Sequence, residues 1–145
     1  MKRIVVDASA LGAVVFGEPH AHIVRAQLEQ ATVFAPALLK FELANIAWKK
    51  ANRQPANAAT IIRSLALALE PRWNIVWQDV EAADVVLMAR ASGLTAYDAS
   101  YLWLAGALGA DLVTLDRRLA EAHDAFASSP QPIAPESSPA ERDTT

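Results

Sequence analysis

Short β-branched runs alternate with stretches of helical periodicity from residue 3 to about residue 126. Arg3-Ile4-Val5-Val6 predicts a strand ending at Asp7, and Ala8 to Phe16 a helix stopped by Gly17 and Pro19. Pro19 to Gln30 predicts a second helix and Thr32-Val33-Phe34 a second strand. Pro36 suits the first turn of a long helix reaching Lys50, and another helix is expected from Ala56 to Leu69. Asn74-Ile75-Val76-Trp77 then predicts a strand, and Asp79 to Ala91 a helix capped by Asp79 and stopped by Gly93. From Thr95 to Leu108, Tyr97, Tyr101, Leu104 and Leu108 recur at helical spacing. Leu112-Val113-Thr114-Leu115 predicts the last strand, and Asp116 opens a final helix. Such alternation implies an α/β fold in which a mostly parallel sheet is covered by helices on both faces, with ligands beyond the carboxyl ends of the strands. Residues 127–145 show no apolar periodicity and many prolines, serines and charges, so a disordered tail is expected after a single domain at 1–126.

Composition narrows the function. At 145 residues and 53% hydrophobic side chains the chain can bury one core, and the absence of cysteine excludes disulfides and thiolate zinc sites. Lys2, Arg3 and Ala8-Ser9-Ala10 imitate a secretory signal, but Asp7 interrupts the apolar run far short of the roughly 7–15 residues a signal core needs. No stretch reaches the about 18 apolar residues of a membrane span. The expectation is a cytoplasmic protein with no membrane partner. A net charge of -3 argues against a broad basic surface for nucleic acid. The tail, however, holds Glu136, Glu141 and Asp143 against Arg142, leaving 12 basic and 13 acidic residues in the body.

Gly-rich phosphate loops and G-x-S-x-G elbows are missing, which removes those enzyme classes. Acidic residues stand out instead. Asp7 follows the first strand and Asp116 the last, so a parallel sheet places both at one edge. Each also suits an N-cap, and Thr95 with Asp98 resembles a capping box. Glu42 lies in a helix that looks apolar nearly all round and therefore buried, where a lone carboxylate needs a cation, a metal or a proton. Asn45 shares its face, while Ser9 and Thr114 sit two residues from Asp7 and Asp116, where second hydrogen bonds to the acids are feasible.

Ile4-Val5-Val6-Asp7-Ala8-Ser9, Phe41-Glu42-Leu43-Ala44-Asn45, Thr95-Ala96-Tyr97-Asp98-Ala99 and Leu112-Val113-Thr114-Leu115-Asp116 resemble the PIN-domain motifs in their usual order, over residues 3 to about 120. Within that family, the size and the Tyr97-Asp98-Ala99 and Asp116-Arg117-Arg118-Leu119 segments resemble VapC-type toxins of toxin–antitoxin pairs. The resemblance implies a three-layer α/β sandwich, a homodimer, and a magnesium- or manganese-dependent endoribonuclease. Asp7, Glu42, Asp98 and Asp116 would be its catalytic metal ligands. It also implies restraint by a VapB-like antitoxin.

All-oxygen donors suit hard divalent cations. With four acids so neutralised, the body carries 12 basic against 9 acidic residues, which permits RNA binding. Lys49, Lys50, Arg53, Arg117 and Arg118 are candidate phosphate contacts, with helix-end or surface roles as the alternative. His20, His22 and His123 are not expected to form a histidine-based ribonuclease centre. Trp48, Trp73, Trp77 and Trp103 are expected in the core rather than stacked on bases. The competing readings are a stand-alone PIN nuclease of RNA processing or DNA cleavage, and a non-catalytic RNA-binding module, against which the intact acidic set argues.

Overall fold

Ile4, Val5 and Val6 are buried while Lys2 and Arg3 are exposed, so the first strand enters from solvent and ends inside the molecule. An unbroken apolar run is what a strand covered on both faces requires. The computed structural model describes residues 1–128. The chain runs β1 (Lys2–Val6), α1 (Ala8–Val15), α2 (Ala21–Glu29), β2 (Ala31–Pro36), α3 (Leu38–Arg53) and α4 (Ala58–Ala68). It continues with β3 (Val76–Gln78), α5 (Ala82–Ser92), α6 (Ala96–Leu108), β4 (Asp111–Val113) and α7 (Arg117–Ala127).

Among the described residues the sheet has four strands in the order β3-β2-β1-β4, every neighbouring pair parallel. The chain steps from β1 to β2 to β3, then crosses back to lay β4 on the far side of β1. Parallel crossovers are right-handed, so reversing direction changes the covered face. Accordingly α1 packs with α2, α3 and α4, whereas α6 packs with α5, α7 and strands β1, β2 and β4. The expected α/β sandwich is therefore the observed one, and the reversal opens a crevice at the carboxyl ends of β1 and β4. Gly93 and Gly109 end α5 and α6 in the left-handed region, at φ +73° and +58°, where a β-carbon would be strained.

Several boundaries differ from the sequence reading. Pro36 closes β2 opposite Gln78 rather than opening α3, because a residue with fixed φ and no N–H is tolerated at a strand end. Asn74 is left-handed (φ 55°) after a short turn at Pro71–Trp73, so β3 begins only at Val76. Val80 packs against the core, which keeps the chain out of helix past Asp79. α5 starts at Ala82, and Glu81, not Asp79, occupies its cap position without a side-chain cap bond. β4 ends at Val113, so Thr114 and Leu115 lie beyond it.

α3 is not buried all round. Leu39, Leu43 and Ala47 face the core, while Phe41 is 72% and Trp48 61% exposed, because α4 and the sheet cover only one side of the helix. Trp73 is also exposed; Trp77 and Trp103 pack partly against the core. α7 runs one residue past the expected boundary at 126, and the tail expected from there lies, from residue 129 on, outside the described residues. No helix among the described residues is long and apolar enough to cross a membrane.

Candidate active site

The register of β1 and β4 sets the site. Val6 lies opposite Val113, so the next residues, Asp7 and Thr114, leave the sheet side by side. The Asp7 N–H still donates to Val113 O at 3.3 Å, and the Thr114 hydroxyl donates to Asp7 Oδ2. Ser9 Oγ donates to the Asp7 carboxylate, 2.8 Å from Oδ1 and 3.0 Å from Oδ2, and accepts from the Leu115 N–H at 2.9 Å. The Ala10 N–H donates to Asp7 Oδ1 at 3.0 Å, so Asp7 caps α1 as well as facing the crevice.

Three helices begin at this edge. Asp116 caps α7, accepting from the Leu119 N–H at 3.2 Å, and its own N–H donates to Thr114 Oγ1 at 3.0 Å. Thr95 caps α6 by accepting from the Asp98 N–H at 3.2 Å, which sets Asp98 in the first turn. The positive ends of the α1, α6 and α7 dipoles thus favour negative charge there. Glu42, on α3, is reached across the crevice by the hydroxyl of Tyr101 on α6, which donates to Glu42 Oε1.

The acids sense one another. Asp7 is only 5% exposed, and burial raises its carboxyl above the usual aspartate range. The bonds from Thr114, Ala10 and Ser9 oppose that rise, and Asp116 adds to it. Burial likewise raises Glu42; Tyr101 opposes, while Asp98 and Asp7 add. Asp98 is raised by burial and by Asp116, and held back by the Arg118 charge and by Thr95. Burial and the Glu42 contact push the Tyr101 phenol far above its ordinary value, so it stays protonated and donates.

Among the described residues no three Asp, Glu or His side chains stand close enough, in these rotamers, to enclose an ion. The donor set nevertheless fits a hard divalent cation: all four groups offer oxygen, and three are raised in pKa partly by a neighbouring carboxylate.

The remaining expected contacts divide. Ser9 and Thr114 hold Asp7 directly. Asn45 lies on the exposed side of α3. Lys50 is not at the site: it pairs with Glu18 at 2.6 Å, roughly 12 Å along α3 from Glu42, and Lys49 and Arg53 occupy the same distant end. Arg117 turns to Glu121 at 2.9 Å with its side chain 91% exposed. Arg118 alone of the five cations acts on the acids, lying where its charge lowers Asp98 and donating to Gly93 O at 3.4 Å. His20 and His22 sit at the exposed start of α2 and His123 on α7. Tyr101 is the contact to a candidate site residue that the sequence reading missed, being counted there as an apolar helix position. Its place three residues after Asp98, on the same face of α6, was the available signal.

The PIN domain family model matches residues 4–124. One relative, named Ribonuclease VapC3, from Pyrobaculum aerophilum, is 32% identical over 128 residues, covering 82% of this chain and 93% of that protein. The crystal structure of PAE2754 from Pyrobaculum aerophilum superposes with a TM-score of 0.68 at 32% identity, over 83% of this chain and 86% of that one. The crystal structure of VapC20 from Mycobacterium tuberculosis, a sarcin-ricin loop cleaving toxin, gives a TM-score of 0.59 over 82% of this chain and 94% of that one. At 15% identity, that likeness concerns the fold alone.

Proposed function

The chain belongs to the PIN-domain family, and on that footing we propose that it is a VapC-type toxin, a divalent-metal-dependent endoribonuclease restrained by a VapB-like antitoxin. The observation that carries the reading is the set of four carboxylates, Asp7, Glu42, Asp98 and Asp116, near the point where the strand order reverses, with Asp7, Glu42 and Asp98 raised in pKa by burial and by neighbouring acids of the set. Magnesium or manganese held there would lower the pKa of water and neutralise charge on the phosphate.

The chain's own residues supply the rest. Ser9, Thr114 and the Ala10 N–H fix the orientation of Asp7. Asp116 is oriented by its capping bond at the start of α7, three residues beyond the strand beside the one that leads into Asp7. Asp98 and Glu42 close the cluster from the helices on the two faces. Arg118 is the cation placed to meet a substrate phosphate. Homodimerisation is part of the proposal, supported by the exposed apolar side of α3 carrying Phe41, Ala44 and Trp48.

Two results test the chemistry. No imidazole pair is placed among the acids, so RNA cleaved by water should carry 5′-phosphate and 3′-hydroxyl ends. Attack by the RNA's own 2′-hydroxyl would leave a cyclic phosphate instead. Ligation-dependent sequencing of the fragment ends separates the two, and cyclic-phosphate ends would overturn the water mechanism.

The second result concerns pH. Asp7, Glu42 and Asp98 titrate above their ordinary values of 3.8, 4.5 and 3.8 when folded. Below those ordinary values both states are protonated and no cost arises. As pH rises through the raised folded values, the unfolded chain releases protons the folded one retains, so stability falls. A divalent cation offsets that repulsion in place of the protons. The rise in melting temperature on adding manganese should therefore grow from about pH 4 towards neutrality. A shift independent of pH, or cleavage undiminished by a chelator, would count against the metal site.

A further inference from the structure

We infer that Tyr101 is the positioning residue for Glu42, holding its carboxylate over the crevice on the side of Asp98. The ring of Tyr101 is 1% exposed and belongs to the core, yet its hydroxyl reaches Glu42 Oε1 from a position 59 residues away in sequence. That bond joins α3 to α6, helices packed on opposite faces of the sheet, above the carboxyl ends of the strands. Asp98 lies one turn earlier on the same face of α6, so the phenol directs Glu42 towards it.

Glu42 needs such a tether. It sits at the border of a helix whose outer side is open to solvent, beside Phe41, and its three rotatable bonds would let the carboxylate turn out to water, where it is better solvated. A single hydroxyl donated to Oε1 restrains that rotation and leaves Oε2 free to accept another partner. Enclosed as it is, Tyr101 acts through Glu42 and not on substrate.

The inference rests on the proposed role of Glu42 as a cation ligand, and its test keeps the two apart. Manganese is titrated calorimetrically into the metal-free full-length protein at neutral pH, using wild type, Tyr101→Phe, Glu42→Gln and the double variant. Tyr101→Phe keeps the buried ring and removes only the hydroxyl; Tyr101→Met serves if the phenylalanine variant does not fold. The expected result is manganese affinity weakened about 10-fold in Tyr101→Phe, with melting temperature in the absence of metal nearly unchanged. Glu42→Gln should lose at least as much, and the double variant no more than Glu42→Gln alone. Weakening by Glu42→Gln with wild-type affinity in Tyr101→Phe, or losses that multiply in the double variant, would overturn the role of Tyr101 alone. Equal affinity in wild type and Glu42→Gln would overturn the ligand role of Glu42 and this inference together.

Discussion

Asp98→Asn should reduce RNA cleavage by about 10²-fold or more while leaving the fold intact. The substitution removes one negative charge with almost no change in shape. The backbone cap of α6, in which Thr95 accepts from the Asp98 N–H, survives the substitution, and only the side-chain bond between the Thr95 hydroxyl and the Asp98 carboxylate is altered. Asp98 is also raised in pKa by burial and by Asp116, so neutralising it relieves repulsion in the metal-free protein. Its melting temperature should therefore be unchanged or higher. Near-normal turnover would remove Asp98 from the site, whereas a marked fall in melting temperature would assign it to holding α6. Asp7→Asn should lose cleavage to a similar degree at some cost in stability. Its Oδ2 accepts from the Thr114 and Ser9 hydroxyls, and an amide NH₂ there would force both to reorient.

Expression of the chain in a bacterial host without its antitoxin should arrest growth, because an unrestrained endoribonuclease destroys the intact RNA that translation requires continuously. Asp98→Asn expressed to the same level should be harmless, which separates cleavage from a burden of expression. Co-expression of the antitoxin should restore growth. A protein that blocks this crevice is expected to insert an Arg or Lys among the carboxylates, where charge-assisted hydrogen bonds replace the cation, while its apolar segment supplies most of the affinity. Harmless expression of active, soluble protein, with no small partner recovered from its own host, would refute the toxin assignment and leave the nuclease standing.

The amino-acid pattern by itself determined the succession of elements and the positions of the four acids. These rest on local physics: β-branched runs ending at Asp7, a glycine ready for the left-handed cap at 93, and capping side chains at Thr95 and Asp116. Where tertiary contacts compete with local preference, that reading slipped. Val80 was drawn to the core and delayed α5, and α3 looked buried because periodicity counts apolar residues without showing what covers them. Only the tertiary structure placed β4 beside β1, joining Asp7 to Thr114 across 107 residues, and Tyr101 to Glu42 across 59. It also selected Arg118 over Lys49, Lys50, Arg53 and Arg117 as the cation at the acids. Such pairings are set by strand order and by which helix faces meet at one edge. Those are properties of chain closure over long separations, and no window of neighbouring residues encodes them.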